Sequence, residues 1–281
     1  MFAFPREEDI INFNLKKNKV YFHLLGVPYD ENSVNPEINT KLFPKKIREM
    51  SYRVYSTLFA DIRKVFILDH GDIDIKELDN KIFEIEKNYK KKNVFLFLGG
   101  NHLMTYYTFQ TLNKIRDIDL IMSFDAHPDV YYGKLSNSSF FRHLLRNFDV
   151  EIVFLALSNP SYEELDFLRN KKISFYSSIE FEDNLRDLAK EINNLIKDKN
   201  IYLTVDLDVF KNNIASFQAE ILGIEPKNFL IFLKKLDIRN FVGMDFVEFD
   251  PTKDINNSYS LMATRIILES LAIINEKLTN N

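Results

Sequence analysis

Three metal-type side chains stand at spacing two in SFDAHPDVYYG (123–133): Asp125, His127 and Asp129. They follow an almost wholly apolar run at 118–124, which reads as a buried strand. Two further apolar runs end in the same chemistry. NVFLFLGG (93–100) leads into His102, and NIYLTVDLD (200–208) closes with Asp206 and Asp208. In an extended segment, residues two apart point to one side. Asp125, His127 and Asp129 can therefore converge on a point, and Asp206 and Asp208 can do so from another strand. A lone His after a Gly pair is commonly a turn residue, and a lone D-x-D is commonly a helix cap or a surface pair. Three such groups at the ends of buried strands are a different matter. Uncompensated charge there is costly, and a dication between the carboxylates removes their mutual repulsion. Four carboxylates and two imidazoles suit Mn²⁺, with Zn²⁺, Fe²⁺, Co²⁺ or Ni²⁺ as alternatives. Six protein ligands exceed what one catalytic ion with an open position needs. They suffice for two ions about 3.5–4 Å apart with bridging carboxylates.

The elements that must carry these residues alternate along the chain. Strands are expected at 19–27, 64–68, 93–100, 118–125, 150–157, 172–178, 200–208 and 240–250. Helical spacing of apolar residues predicts helices at 43–59, 77–93, 102–115, 138–148, 161–170, 182–198, 225–236 and 258–278. Pro44 and Pro226 fall near helix starts, and Ser161 is a plausible cap. The strands are continuous apolar runs, the pattern of a parallel sheet covered on both faces. No fixed-period repeat and no linker rich in Gly, Pro or Ser interrupts 1–281, so a single domain is expected. The alternation alone leaves a doubly wound sheet and a closed barrel both open. Either one would place a site at the carboxyl ends of the strands.

Composition sets the outer limits. The chain of 281 residues is 46% hydrophobic, which is ample for a buried core, and its net charge is −4. Neither value gives the basic stripe that a nucleic-acid or acidic-membrane partner requires. No apolar run approaches the length of a membrane span. The opening MFAFPREED lacks a basic segment followed by an apolar core, so no signal peptide is expected. The absence of Cys removes thiolate nucleophiles and Cys-bound zinc, and fits a cytoplasmic enzyme.

Together, the motifs resemble those of the ureohydrolases, the binuclear manganese family of arginase, agmatinase and formimidoylglutamase. GVPYD (26–30), FPKKIRE (43–49), LDHGDIDI (68–75), LGGNH, FDAHPD, TVDLDV and MDFVEFDP (244–251) carry the resemblance over nearly the whole chain. It implies a three-layer doubly wound α/β sheet of about eight mostly parallel strands, which decides sheet over barrel. It also implies two Mn²⁺ per subunit. By position, His102 and Asp129 would bind one ion and His127 the other. Asp125 and Asp206 would bridge, and Asp208 would complete the second. Glu248 would hold the cationic end of the substrate, and Asp208 would pass a proton to the leaving nitrogen. A homo-oligomer, trimeric or hexameric, is implied as well.

The chain departs from the arginase and agmatinase pattern at several places. Asn137, in LSNSSFFR (135–142), stands where those enzymes carry a proton-moving His, and Asn cannot ionise. Lys211-Asn212 replaces an Asp-Pro, NIASFQAEILG (213–223) lacks their Gly- and Thr-rich segment, and ALSNPSYEEL (156–165) lacks an Arg. Formimidoylglutamases resemble it better there, in Asp208-Val209-Phe210 and in Asp254-Ile255-Asn256-Asn257 with Arg265 downstream. The expected activity is therefore hydrolysis of a C–N bond in a formimidoyl compound, with Asn137, Arg142 and Arg265 as substrate-binding residues. Two alternatives are a urea-releasing agmatinase or aminopropylagmatine ureohydrolase, with Glu220 or Asp250 as a distal acidic wall, and a non-catalytic metal-binding member. A deacetylase would leave three of the six ligands unused.

Overall fold

In a computed structural model of the protein, residues 1–17, 20–35, 37–216 and 219–280 are described. The apolar runs become β1 (Val20–Gly26), β2 (Ile67–Asp72), β3 (Lys92–Leu98), β4 (Leu120–Phe124), β5 (Glu151–Leu157), β6 (Ser174–Ser177), β7 (Ile201–Asp206) and β8 (Phe241–Val247). Lys19, expected to open the first strand, lies outside the described residues. All eight strands join one sheet in the order β2-β1-β3-β8-β7-β4-β5-β6, and every pairing is parallel. The inner strands β4, β7 and β8 are buried along their full length, as continuous apolar runs require. The edge strands β2 and β6 are only half-buried.

The helices are α1 (Glu7–Asn12), α2 (Phe43–Ser51), α3 (Leu78–Asn88), α4 (Leu103–Asn113), α5 (Phe140–Asn147), α6 (Tyr162–Lys171), α7 (Ser178–Asp183), α8 (Leu185–Leu195), α9 (Pro226–Lys235) and α10 (Ser258–Thr279). They cover both faces of the sheet. Alternate strand residues divide between the two cores: Val94, Leu96 and Leu98 pack with α2, α8, α9 and α10, and Phe95 and Phe97 with α3 and α4. Phe124 closes β4 by meeting the rings of Phe181, Phe229 and Phe232 edge-on. Among the described residues, no helix is long and apolar enough to cross a membrane.

Several boundaries differ from the sequence expectation. The helix expected at 43–59 stops at Ser51. The backbone N–H groups of Leu58 and Phe59 instead donate to the buried carboxylate of Glu269, 2.7 and 3.0 Å away. The strand expected at 64–68 begins at Ile67 and runs through Asp72, because Ile62–Lys64 forms a 3₁₀ turn capped by Asp61. The helix expected at 182–198 is α8 alone, ending at Leu195. The separate α7 begins at a capping box in which Ser177 and Glu180 satisfy each other's backbone N–H.

Candidate metal centre

The sheet order makes β3, β8, β7 and β4 successive neighbours, so their carboxyl ends lie side by side. His102 follows β3, Glu248 follows β8, Asp206 ends β7 and Asp125 follows β4. Two glycines after β3 let the chain turn closely. A Cβ on Gly100 would sit 1.8 Å from the Tyr29 carbonyl oxygen, while its own carbonyl accepts from the Glu248 N–H at 3.0 Å. Only Gly fits where two backbones approach so closely. Asp129 and Glu248 both adopt positive φ, +49° and +57°. Non-Gly residues rarely take this conformation, and it collects at functional sites.

The six ligand-type side chains converge. His102 Nδ1 lies 3.0 Å from Asp125 Oδ2, 3.0 Å from Asp129 Oδ2 and 3.4 Å from Asp206 Oδ2. His127 Nδ1 lies 3.0 Å from Asp208 Oδ2 and 3.8 Å from Asp125 Oδ1. Two groups able to hold an ion result, His102–Asp125–Asp129 and Asp125–His127–Asp208, and they share Asp125. Asp206 adjoins the first group, and its Oδ1 accepts the Asp208 N–H at 2.8 Å.

Burial and mutual charge perturb the whole cluster. Burial opposes the charge on His102, yet Asp125 and Asp129 push its pKa well above the ordinary value. For His127, burial is likewise outweighed, chiefly by Asp208, and its pKa rises to about 10. Burial raises Asp125, Asp129 and Asp206, with neighbouring carboxylates adding to the effect. Asp208 is lowered, because the His127 imidazole outweighs its burial. Protons shared among so many ligands are what a dication displaces on binding. His102 Nδ1 and Asp125 Oδ2 are buried and, though 3.0 Å apart, make no aligned hydrogen bond. Buried orphan atoms facing one another among oxygen donors fit a pair of hard divalent ions.

A cavity of about 540 Å³ opens over this cluster, lined by His127, Asp129, Asp206, Asp208 and Glu248 and farther out by Asn137, Ser138, Asn159 and Ser161. Glu248 is buried, and its Oε1 accepts from the His102 N–H at 2.8 Å and from Asn137 Nδ2 at 3.0 Å. Asn137 Oδ1 accepts from the Val34 N–H. Arg142 and Arg265, expected to bind substrate, do not line the cavity. The Arg142 guanidinium stacks 4.2 Å over the Phe167 ring and pairs with Glu163, and its Nε donates to the Val130 carbonyl. Arg265 pairs with Glu269 one turn along α10. The Asp254 stretch is a helix cap, since its carboxylate accepts the N–H groups of Tyr259 and Ser260. Glu220 and Asp250 are also outside the lining. Glu220 sits behind Asn159 and accepts from Ser158 at 3.1 Å, while Asp250 accepts from the Asn39 and Thr252 N–H groups. Within NIASFQAEILG, Phe217 and Gln218 lie outside the described residues.

Sequence reasoning missed the outer lining of Asn159, Ser138 and Ser161. Short polar residues in loops give no distinguishing signal. It also missed Asp245, a carboxylate in the middle of the apolar strand β8, although a charge so placed requires partners.

Comparison with known proteins bears on this arrangement. The model of the arginase family matches residues 20–272. The "uncharacterized 32.2 kDa protein in hmfB 3'region" of Methanothermus fervidus is 30% identical, over 97% of this chain and 98% of its own. Formimidoylglutamase of Bacillus subtilis is 27% identical, over 88% and 85%. Agmatinase of Halalkalibacterium halodurans is 26% identical, over 92% and 93%. Among solved structures, the same Bacillus subtilis formimidoylglutamase superposes with a TM-score of 0.83 at 21% identity, covering 92% of this chain and 88% of that one. A variant of Trypanosoma cruzi formiminoglutamase solved with Mn²⁺ gives a TM-score of 0.77 at 18% identity, covering 98% and 96%.

Proposed function

The chain belongs to the arginase family, and from that premise we propose that it is a binuclear manganese hydrolase of an amidine-bearing acid, with formimidoylglutamate as the leading substrate. The observation that carries this reading is the convergence of His102, Asp125, His127, Asp129, Asp206 and Asp208 under a cavity walled by Glu248. Two divalent ions, when bound, supply Lewis acidity and a water ionised near neutral pH. His102 and Asp129 would hold one ion, His127 and Asp208 the other, and Asp125 and Asp206 both.

The remaining work falls to the chain's own side chains. Glu248 pairs with the cationic nitrogens of the amidine, since charge-assisted bonds orient planar cations well. Asn137 and the His102 N–H fix the Glu248 carboxylate by holding Oε1. Asp208, anchored by the Ala126 N–H at 3.2 Å, takes a proton from the attacking water and passes it to the leaving nitrogen. Asn137 cannot ionise, so protons are resupplied through water in the open cavity.

The distal wall supports an acid over agmatine. It offers amides and hydroxyls, and among the described residues no carboxylate lines it beyond the metal cluster and Glu248 to receive an ammonium tail. Among the described residues it also offers no Arg or Lys, so the substrate carboxylates would be held by neutral donors such as Asn159 and Ser161. Agmatine hydrolysis to urea is the second reading, favoured by the likeness to agmatinase. Family membership also supports self-association into a trimer or hexamer, and the lack of Cys a cytoplasmic setting. The test is to offer the Mn²⁺-loaded protein formimidoylglutamate, guanidino acids and agmatine, and to measure formamide and urea. Formamide from formimidoylglutamate is expected. Urea from agmatine with no formamide would reverse the order, and no turnover of any of them would leave a non-catalytic metal protein.

A further inference from the structure

Behind His102, on the side away from the cavity, lies a fully buried chain of polar groups. Thr204 and Asp245 are register partners on β7 and β8, and Thr105 stands in the first turn of α4. His102 Nε2 lies 3.0 Å from Thr204 Oγ1, and Thr204 Oγ1 lies 3.3 Å from Thr105 Oγ1. Thr105 Oγ1 donates to Asp245 Oδ2 at 2.9 Å, and the Tyr202 hydroxyl donates to the same oxygen at 2.6 Å.

Counting protons gives the chain a direction. Each threonine has one hydroxyl hydrogen. That of Thr105 is committed to Asp245, so the Thr204 hydrogen goes to Thr105 or to Asp245 beside it. Its own hydrogen thus committed, Thr204 meets His102 as an acceptor, and Nε2 must carry a hydrogen. A neutral His102 then has its lone pair on Nδ1, which faces Asp125, Asp129 and Asp206. The direction holds even if Asp245 is protonated on Oδ1, because Oδ2 still receives both hydroxyls.

We propose that Asp245, Thr105 and Thr204 form a positioning relay that fixes the His102 hydrogen on Nε2 and so presents Nδ1 to a divalent ion. A carboxylate acting on a ligating imidazole usually does so directly; here two hydroxyls carry its effect. The relay rests on the metal-centre reading given above, and not on the choice of substrate.

The experiment measures Mn²⁺ affinity of the full chain by competition with a chelator, in native protein and in variants whose fold is checked by circular dichroism. Thr204→Val keeps the shape and removes the acceptor. It is expected to weaken Mn²⁺ binding about 10–100-fold, and Thr204→Ser to restore native affinity. Native affinity in a folded Thr204→Val, or Thr204→Ser as weak as Thr204→Val, would overturn the relay. Should Thr204→Val not fold, Thr204→Ala decides: it likewise removes the acceptor, so a weakened affinity supports the relay and an unchanged one overturns it. A native chain that binds no Mn²⁺ overturns both the relay and the proposed function. A native chain that binds Mn²⁺ but hydrolyses no amidine overturns the proposed function alone.

Discussion

Glu248 faces the cavity and belongs to neither ion-holding group. Glu248→Gln should therefore leave bound metal intact and weaken only the hold on a cationic amidine. Hydrogen bonds to charged groups contribute about 1.5–3 kcal/mol, so kcat/KM is expected to fall roughly 10–100-fold in steady-state assays. Equal loss of metal from this variant would show that the carboxylate serves the ions instead. A second residue, His23, speaks to stability. It is fully buried on β1, with Nδ1 against His70 and Nε2 against Asn93, and burial lowers its pKa from 6.5 to about 4. The Asn93 contact partly offsets that fall, and His70 and Arg116 add to it. Because the folded-state value is the lower one, the unfolded chain takes up a proton that the folded chain refuses. The stability that this histidine contributes is thus fully present above pH 6.5 and is lost as the pH falls from 6.5 towards 4, by about 3 kcal/mol. Urea denaturation at pH 7 and pH 4.5 should show a smaller pH-dependent loss in His23→Asn than in the native chain.

Local elements carry their own tests. Gly100→Ala would drive a Cβ into the Tyr29 carbonyl, and this backbone cannot give way without moving His102. Overpacking of this kind costs about 1–3 kcal/mol, and displacement of the ligand should lower metal content with it. Ser177→Ala removes the cap of α7 and should cost about 1 kcal/mol in chemical denaturation, with no effect on bound metal. At this scale the sequence was readable wherever the physics is local. Ser161 caps α6 where its position announces a helix start, and Pro44 and Pro226 mark two more. It was unreadable where a distant partner decides. The segment after Ser51 leaves the helix for Glu269, 211 residues from Leu58, and no pattern within 43–59 announces that carboxylate. Arg142 and Arg265 lie outside the cavity lining for the same reason, since Phe167 with Glu163 and Glu269 hold them elsewhere. The six ligand-type residues were legible because each pairs an unusual chemistry with a strand-end spacing. Thr204 was not, because a threonine in a strand is ordinary until its neighbours on β8 and α4 are known.

Across the whole molecule, strand order turns separate motifs into one centre. Alternation of strands and helices says nothing about which strands are neighbours. The order β3-β8-β7-β4 sets four strand ends in a row, delivering His102, Glu248, Asp206 and Asp125 to the carboxyl end of the sheet. The buried carboxylates and imidazoles there would be an expensive assembly to keep without divalent ions between them. The most direct measurement is metal content by mass spectrometry after stripping with chelator and reloading with Mn²⁺, on the native chain and on Asp125→Asn. Asp125 is common to both ion-holding groups. The expected result is about two ions per native chain and fewer than about one in the variant. A native chain that retains no ion, or an Asp125→Asn chain that retains both, would contradict a metal pair gathered from the ends of separate strands.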